Sequence, residues 1–117
     1  MNDSLKPCPD SPNCVSTFSK KEGSAIAPIT TKGTRDQVMA KVRKVLSEMP
    51  RTKIVSEKPN YLHVEFTSAL FRFVDDVEFL LDEANTLHFR SASRIGHSDL
   101  GANRKRMEEF RIRFFQA

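Results

Sequence analysis

A chain of 117 residues is the length of one domain, and it buries enough surface to fold without staples. Its net charge of +4 is mildly basic, with the excess after residue 86, where six Arg and one Lys face Asp99, Glu108 and Glu109. No segment is apolar for long enough to span a membrane as a helix, and the N-terminus, MNDSLKPC, lacks the basic and apolar regions of a signal peptide.

Residues 1–18 are rich in turn formers, with Pro7, Pro9 and Pro12 interrupting any helix or strand. Cys8 and Cys14 lie in this segment. Two cysteines at that spacing can close a small disulfide ring in an oxidising compartment and remain thiols in the cytosol. A metal site needs more ligands than this pair, and no His is near in sequence. The spacing also departs from the Cys-x-x-Cys redox pattern. A structural disulfide is therefore favoured over a metal, and no cofactor is called for. Ala25–Ile29 reads as an edge strand, because Pro28 lacks a donor for a central ladder. Residues 1–33 are expected to wrap a helix–strands–helix core formed by residues 34–117.

Thr34–Met49 has the clearest helical pattern. Thr34 and Gln37 have capping-box spacing, and Val38, Val42, Val45, Leu46 and Met49 form one apolar face. Pro50 ends it. Strands are expected at Thr52–Glu57, Tyr61–Ser68, Val74–Asp82 and Thr86–Arg94. In the last two strands the apolar set is odd-numbered. The core faces then coincide only if opposed residues sum to an even number, which requires an odd loop such as Glu83-Ala84-Asn85. In that register Glu78 faces Arg90 and Leu80 faces His88.

After Arg94 come four turn-prone residues, Gly96 to Asp99, and then a basic helix expected over Leu100–Phe115. Ser98 or Asp99 is the expected cap. Leu100, Asn103, Met107, Phe110 and Phe114 share one face. Asn103 interrupts that apolar line, and a buried amide needs partners. Phe110, Phe114 and Phe115 fall at helical spacing, which suits core better than base stacking. Nucleic acid is disfavoured for that reason. The expected fold is α+β: an antiparallel sheet of four to five strands with two amphipathic helices packed on one face.

Four stretches carry a resemblance. They are Cys8-Pro9-x-Ser11-Pro12-Asn13-Cys14-Val15-Ser16, Phe66-Thr67-Ser68, Phe73-Val74-Asp75-Asp76-Val77-Glu78-Phe79, and Arg90-Ser91-Ala92-Ser93-Arg94-x-Gly96-x-Ser98-Asp99-x-Gly101-x-Asn103-Arg104-x-Arg106. In this order, over nearly the whole chain, they resemble the bacterial and plastid domain of unknown function 1499. The resemblance implies a small α+β domain, often in exported or membrane-associated proteins, and implies no activity. This chain differs from exported members in showing no leader. The expected location is therefore the cytoplasm, with the envelope as the alternative for a chain whose export signal has been removed.

Three functions compete. The first is a binding module for a small anion or anionic headgroup at the strand–loop–helix junction. It would use Arg90, Ser91, Ser93, Arg94, Ser98, Asp99, Asn103 and Arg104, with Asp75 and Asp76 beside them. Donors dense at a helix start suit an anion. The competing structural account pairs these arginines with Asp75, Asp76 and Glu78. The second function is a protein-interaction or envelope-assembly module without ligand chemistry, which a large exposed apolar patch would favour. The third is a hydrolase-type enzyme using Asp75, Asp76 and one of His63, His88 or His97. No nucleophile elbow, zinc-protease motif or P-loop is present, and adjacent aspartates in a strand point to opposite faces. Catalysis is disfavoured, and the sequence sets no oligomeric state.

Overall fold

The computed structural model describes residues 5–9, 12–95 and 101–117. Its elements, in chain order, are β1 (Cys14–Ser16), β2 (Ile29–Thr30), α1 (Arg35–Ser47), β3 (Thr52–Lys58), β4 (Tyr61–Thr67), β5 (Val74–Leu81), β6 (Thr86–Ser93) and α2 (Ala102–Gln116). The fold is α+β, with an antiparallel sheet in the order β1-β6-β5-β4-β3. β2 also pairs with β6, nearer the start of that strand than β1. Among the described residues the sheet thus has six strands rather than four or five.

The extra strand comes from the Pro-rich start. Cys14 to Ser16 pair with Ala92 to Arg90, so the segment read as turns also holds a short edge strand. Cys8 and Cys14 are joined in a disulfide, and the ring they close ends where β1 begins. The expected edge strand at Ala25–Ile29 shifts to Ile29–Thr30, beyond Pro28. Ala25 makes only an isolated parallel bridge to Ser16.

Local chemistry sets the other boundaries. The Thr34 hydroxyl accepts from the Gln37 N–H at 3.1 Å, and the Gln37 side chain accepts from the Thr34 N–H at 2.9 Å. This reciprocal pair satisfies two donors at the start of α1. The β5–β6 hairpin turns through Glu83-Ala84-Asn85, with Asn85 at φ 60°. The Asp82 carboxylate accepts from the N–H groups of Ala84 and Thr86, both at 2.9 Å. Glu78 opposes Arg90 and Leu80 opposes His88, the register that face parity requires. Gly101 caps α2 at φ 80°, a left-handed conformation that costs glycine little. The caps expected at Ser98 and Asp99 lie outside the described residues.

The core lies between the helices and one face of the sheet. Val38, Met39, Val42, Val45 and Leu46 of α1 join Met107, Phe110 and Phe114 of α2 against Leu62, Val64, Val77, Phe79, Leu87 and Phe89. Period-2 strands and period-3.6 helices each supply one apolar face to it. On the outer edge, β3 breaks register between Ile54 and Ser56 and carries Lys53 and Lys58. A bulge and charges are the devices that keep a free edge from pairing with another chain.

Candidate functional site

The strand–loop–helix junction holds two polar networks, one on each face of the sheet. On the helix side, Ser91 at the centre of β6 is fully buried, and its hydroxyl donates to Asn103 Oδ1 at 2.5 Å. Asn103 Nδ2 donates to the Asn13 carbonyl and to Ser93 Oγ, both at 3.0 Å. Arg106 donates to Asn103 Oδ1 at 3.0 Å and meets the Asp75 carboxylate at 2.8 Å. Its guanidinium lies 4.9 Å over the Phe66 ring. Asn103 therefore ties the start of α2 to β6 and to the N-terminal segment. Ser91, Ser93 and Asn103 come together, hydrogen-bonded to one another, to the Asn13 carbonyl and to Arg106.

Among the described residues, the other face of the sheet carries no helix. Arg94 grips Asp76 with two hydrogen bonds, at 2.8 and 2.9 Å, and reaches Glu65 at 2.6 Å. His63 Nε2 is 2.8 Å from Asp76. The Tyr61 hydroxyl donates to Glu78 at 2.5 Å. Arg90 lies 3.8 Å from Glu78 and donates to the Pro7 carbonyl at 3.3 Å, which brings the 5–9 segment onto this face. Arg90 Nε is buried without a hydrogen-bond partner. Arg104 leaves the junction and donates to the carbonyls of Gly23 and Ala25. Three of the arginines thus meet carboxylates on neighbouring strands, Arg94 with Asp76, Arg106 with Asp75 and Arg90 with Glu78. Ser98 and Asp99 lie outside the described residues, as does His97.

These contacts set the acid–base character. The hydrogen bonds from Arg94, opposed by burial and reinforced by His63, hold the Asp76 carboxyl below the usual carboxylate range. Burial raises the Asp82 carboxyl, but hydrogen bonds from the Thr86 N–H, His88 and the Ala84 N–H outweigh it and leave it lowered. Burial, then the hydrogen bond to Glu78, pushes the Tyr61 phenol well above its ordinary value. A carboxylate whose folded pKa lies below its unfolded value stabilises the fold above the unfolded pKa, roughly pH 4. That contribution is lost as pH falls through the folded value. The urea midpoint should therefore drop as the pH falls below about 4, and Asp76→Asn should flatten part of that drop. An identical acid limb in wild type and Asp76→Asn would show that Arg94 and His63 do not act through Asp76.

Catalytic geometry is poorly served. Asp75 points to the helix side and Asp76 to the open side, so they form no dyad. One constellation that local pattern did not reveal is Thr17–His88–Asp82. The Thr17 hydroxyl is 2.9 Å from His88 Nδ1, and His88 Nε2 is 3.2 Å from Asp82. It has the order of a hydroxyl–imidazole–carboxylate triad, but the hydroxyl also accepts from the Phe89 N–H at 3.2 Å. The Phe18 ring stacks on the imidazole at 4.2 Å. The arrangement fastens the residue after β1 to β6. Its only sequence signal is the short spacing of Asp82 and His88 across a hairpin, since Thr17 comes from far away. Among the described residues no group of three or more His, Cys, Asp or Glu side chains is placed to hold a metal.

A different feature is exposed at one end of the sheet, where β4 stops and β5 starts. The connection 68–73 presents Leu70, Phe71 and Phe73 to solvent, with the two Phe rings stacked at 5.5 Å. Arg94 N–H donates to the Val74 carbonyl, which brings the exposed Ile95 to the same end. Arg72 is exposed within this loop at φ 58°, and the exposed Arg51 donates to the Thr67 carbonyl at its base. Neither Arg51 nor Arg72 joins an ion pair among the described residues.

A family model described as "Protein of unknown function (DUF1499)" matches residues 4–114. No curated protein matches the chain.

Proposed function

We propose, starting from the fact that the chain belongs to the DUF1499 family of proteins of unknown function, that it is a non-catalytic docking module for an anionic membrane surface. The observation that carries this reading is the loop tip, where Leu70 is 80% and Phe71 68% exposed. Burial in the domain gives no reason for adjacent apolar side chains to stand in water. Grouped exposure of this kind marks an interaction surface. The tip lies in an exposed loop, which suits insertion among lipid headgroups. Arg51 and Arg72 supply the charge that an anionic surface attracts. No helix among the described residues is long and apolar enough to cross a membrane, so attachment on this reading is peripheral.

The energies suit a reversible attachment. Each apolar side chain removed from water contributes on the order of 1–2 kcal/mol, and each cation near an anionic surface about 1 kcal/mol. The sum is in the range of a single acyl anchor, which binds marginally.

Co-sedimentation with phosphatidylcholine vesicles, with and without phosphatidylglycerol, tests the proposal. Wild type should bind the anionic vesicles, and the double variant Leu70→Ser, Phe71→Ser should bind at least about tenfold more weakly. Equal binding of both proteins, or none by wild type, overturns it. A second reading, a small anion at the junction, draws support from Arg90, whose Nε lacks a partner. Melting in inorganic phosphate separates the two: a rise in wild type that disappears in Arg90→Gln favours the junction.

A further inference from the structure

We infer that a cleft where the end of β2, the start of α1 and the end of α2 converge binds a small amphiphilic monoanion, a carboxylate with an apolar body. The cleft has a volume of about 390 Å³, within the range of small-ligand sites. Its walls include Thr30 at the end of β2, Lys32 just beyond it, Val38 and Lys41 on α1, and Phe114 and Phe115 on α2. Val38 and Phe114 are core residues that form an apolar floor, whereas Phe115 is exposed. No lining residue is acidic.

Charge selects the ligand. Lys32 and Lys41 join no ion pair among the described residues. The Lys41 ammonium lies 4.4 Å from the Phe114 ring centroid, so a cation is held directly over the apolar floor. A ligand that covers the ring and offers one carboxylate to the ammonium groups satisfies both parts of the site. The apolar body replaces water on Val38, Phe114 and Phe115, and the head forms charge-assisted hydrogen bonds. Phosphoryl groups are less suited. They are favoured by the planar fork of arginine or by convergent backbone N–H groups, and the cationic side chains here are two lysines on flexible stems.

Titration of the isotopically labelled chain, followed by amide shifts, tests the site with octanoate, octan-1-ol and inorganic phosphate added separately. Octanoate, kept below its micelle concentration, should shift the amides of Thr31, Val38 and Phe115. Lys41→Met retains an apolar stem and should weaken octanoate by about tenfold while leaving octan-1-ol unchanged. Lys32→Met, at an exposed position, should act in the same direction and guards against a folding defect in the first variant. Leu70→Ser, Phe71→Ser should bind octanoate like wild type, which separates this cleft from the membrane reading. The inference is overturned if octanoate shifts no cleft amide, if octan-1-ol binds as tightly as octanoate, or if both lysine variants bind like wild type.

Discussion

Arg106→Met is expected to cost about 3–5 kcal/mol of stability, read from urea unfolding at neutral pH. Asp75 is 11% and Arg106 15% exposed at the side chain, and they meet at 2.8 Å. Removing the guanidinium strands a buried carboxylate and takes donors from Ser91 and Asn103. An unpaired buried charge is the costly outcome, because desolvation is no longer offset by attraction. Such a loss is a large share of the 5–15 kcal/mol typical of a domain. The double variant Asp75→Leu, Arg106→Met should recover much of it, since the same space is then filled without charge. A single-variant loss under about 1 kcal/mol, the value of a solvated surface pair, would refute the buried-network account.

Phe110→Ala should be comparably severe, at about 3–5 kcal/mol. Phe110 is fully buried, with its ring 4.7 Å from Phe79, 6.3 Å from Phe89 and 5.8 Å from Phe114. It is the point where α2 meets the middle of the sheet. Truncation leaves a cavity that rigid strands on one side and α1 on the other close poorly. Phe115→Ala, five residues further along the same helix, should stay within about 0.5 kcal/mol of wild type, because that ring is exposed. Similar midpoints for the two variants would mean that α2 does not carry the core contacts described.

The parts of this fold that repeat locally were legible. α1 announced itself through Thr34, Gln37 and a face at 3.6-residue spacing, and the β5–β6 register followed from odd-numbered apolar positions and a three-residue loop. β1 was not legible. Three residues after a Pro-rich ring are too few to show a period, and their partners, Arg90 to Ala92, lie at the far end of the chain. The junction was read in part. Ser91, Ser93 and Asn103 do gather, but a cluster of donors in sequence looks the same whether its acceptors are a ligand or the protein itself. The acceptors here include the Asn13 carbonyl, 90 residues from Asn103, and local pattern cannot reveal that partner. The exposed loop is not legible in the sequence for the opposite reason. Phe71-Arg72-Phe73 falls between two expected strands as a connection, and sequence hydrophobicity does not say which apolar residues stay wet.

The origin of the β6 edge orders the events of synthesis. β1 and β2 leave the ribosome before α1 and the β3–β5 strands, yet the strand they pair with, β6, follows all of these. The β3–β6 meander can zip together hairpin by hairpin, each step closing a short loop. The N-terminal segment has no such neighbour. Cys8 and Cys14 can close their ring early, but β1 stays undocked until residue 92 has emerged, and the clasp at Asn103 must wait longer still. The β1 segment is therefore made before the meander yet finds its place after it.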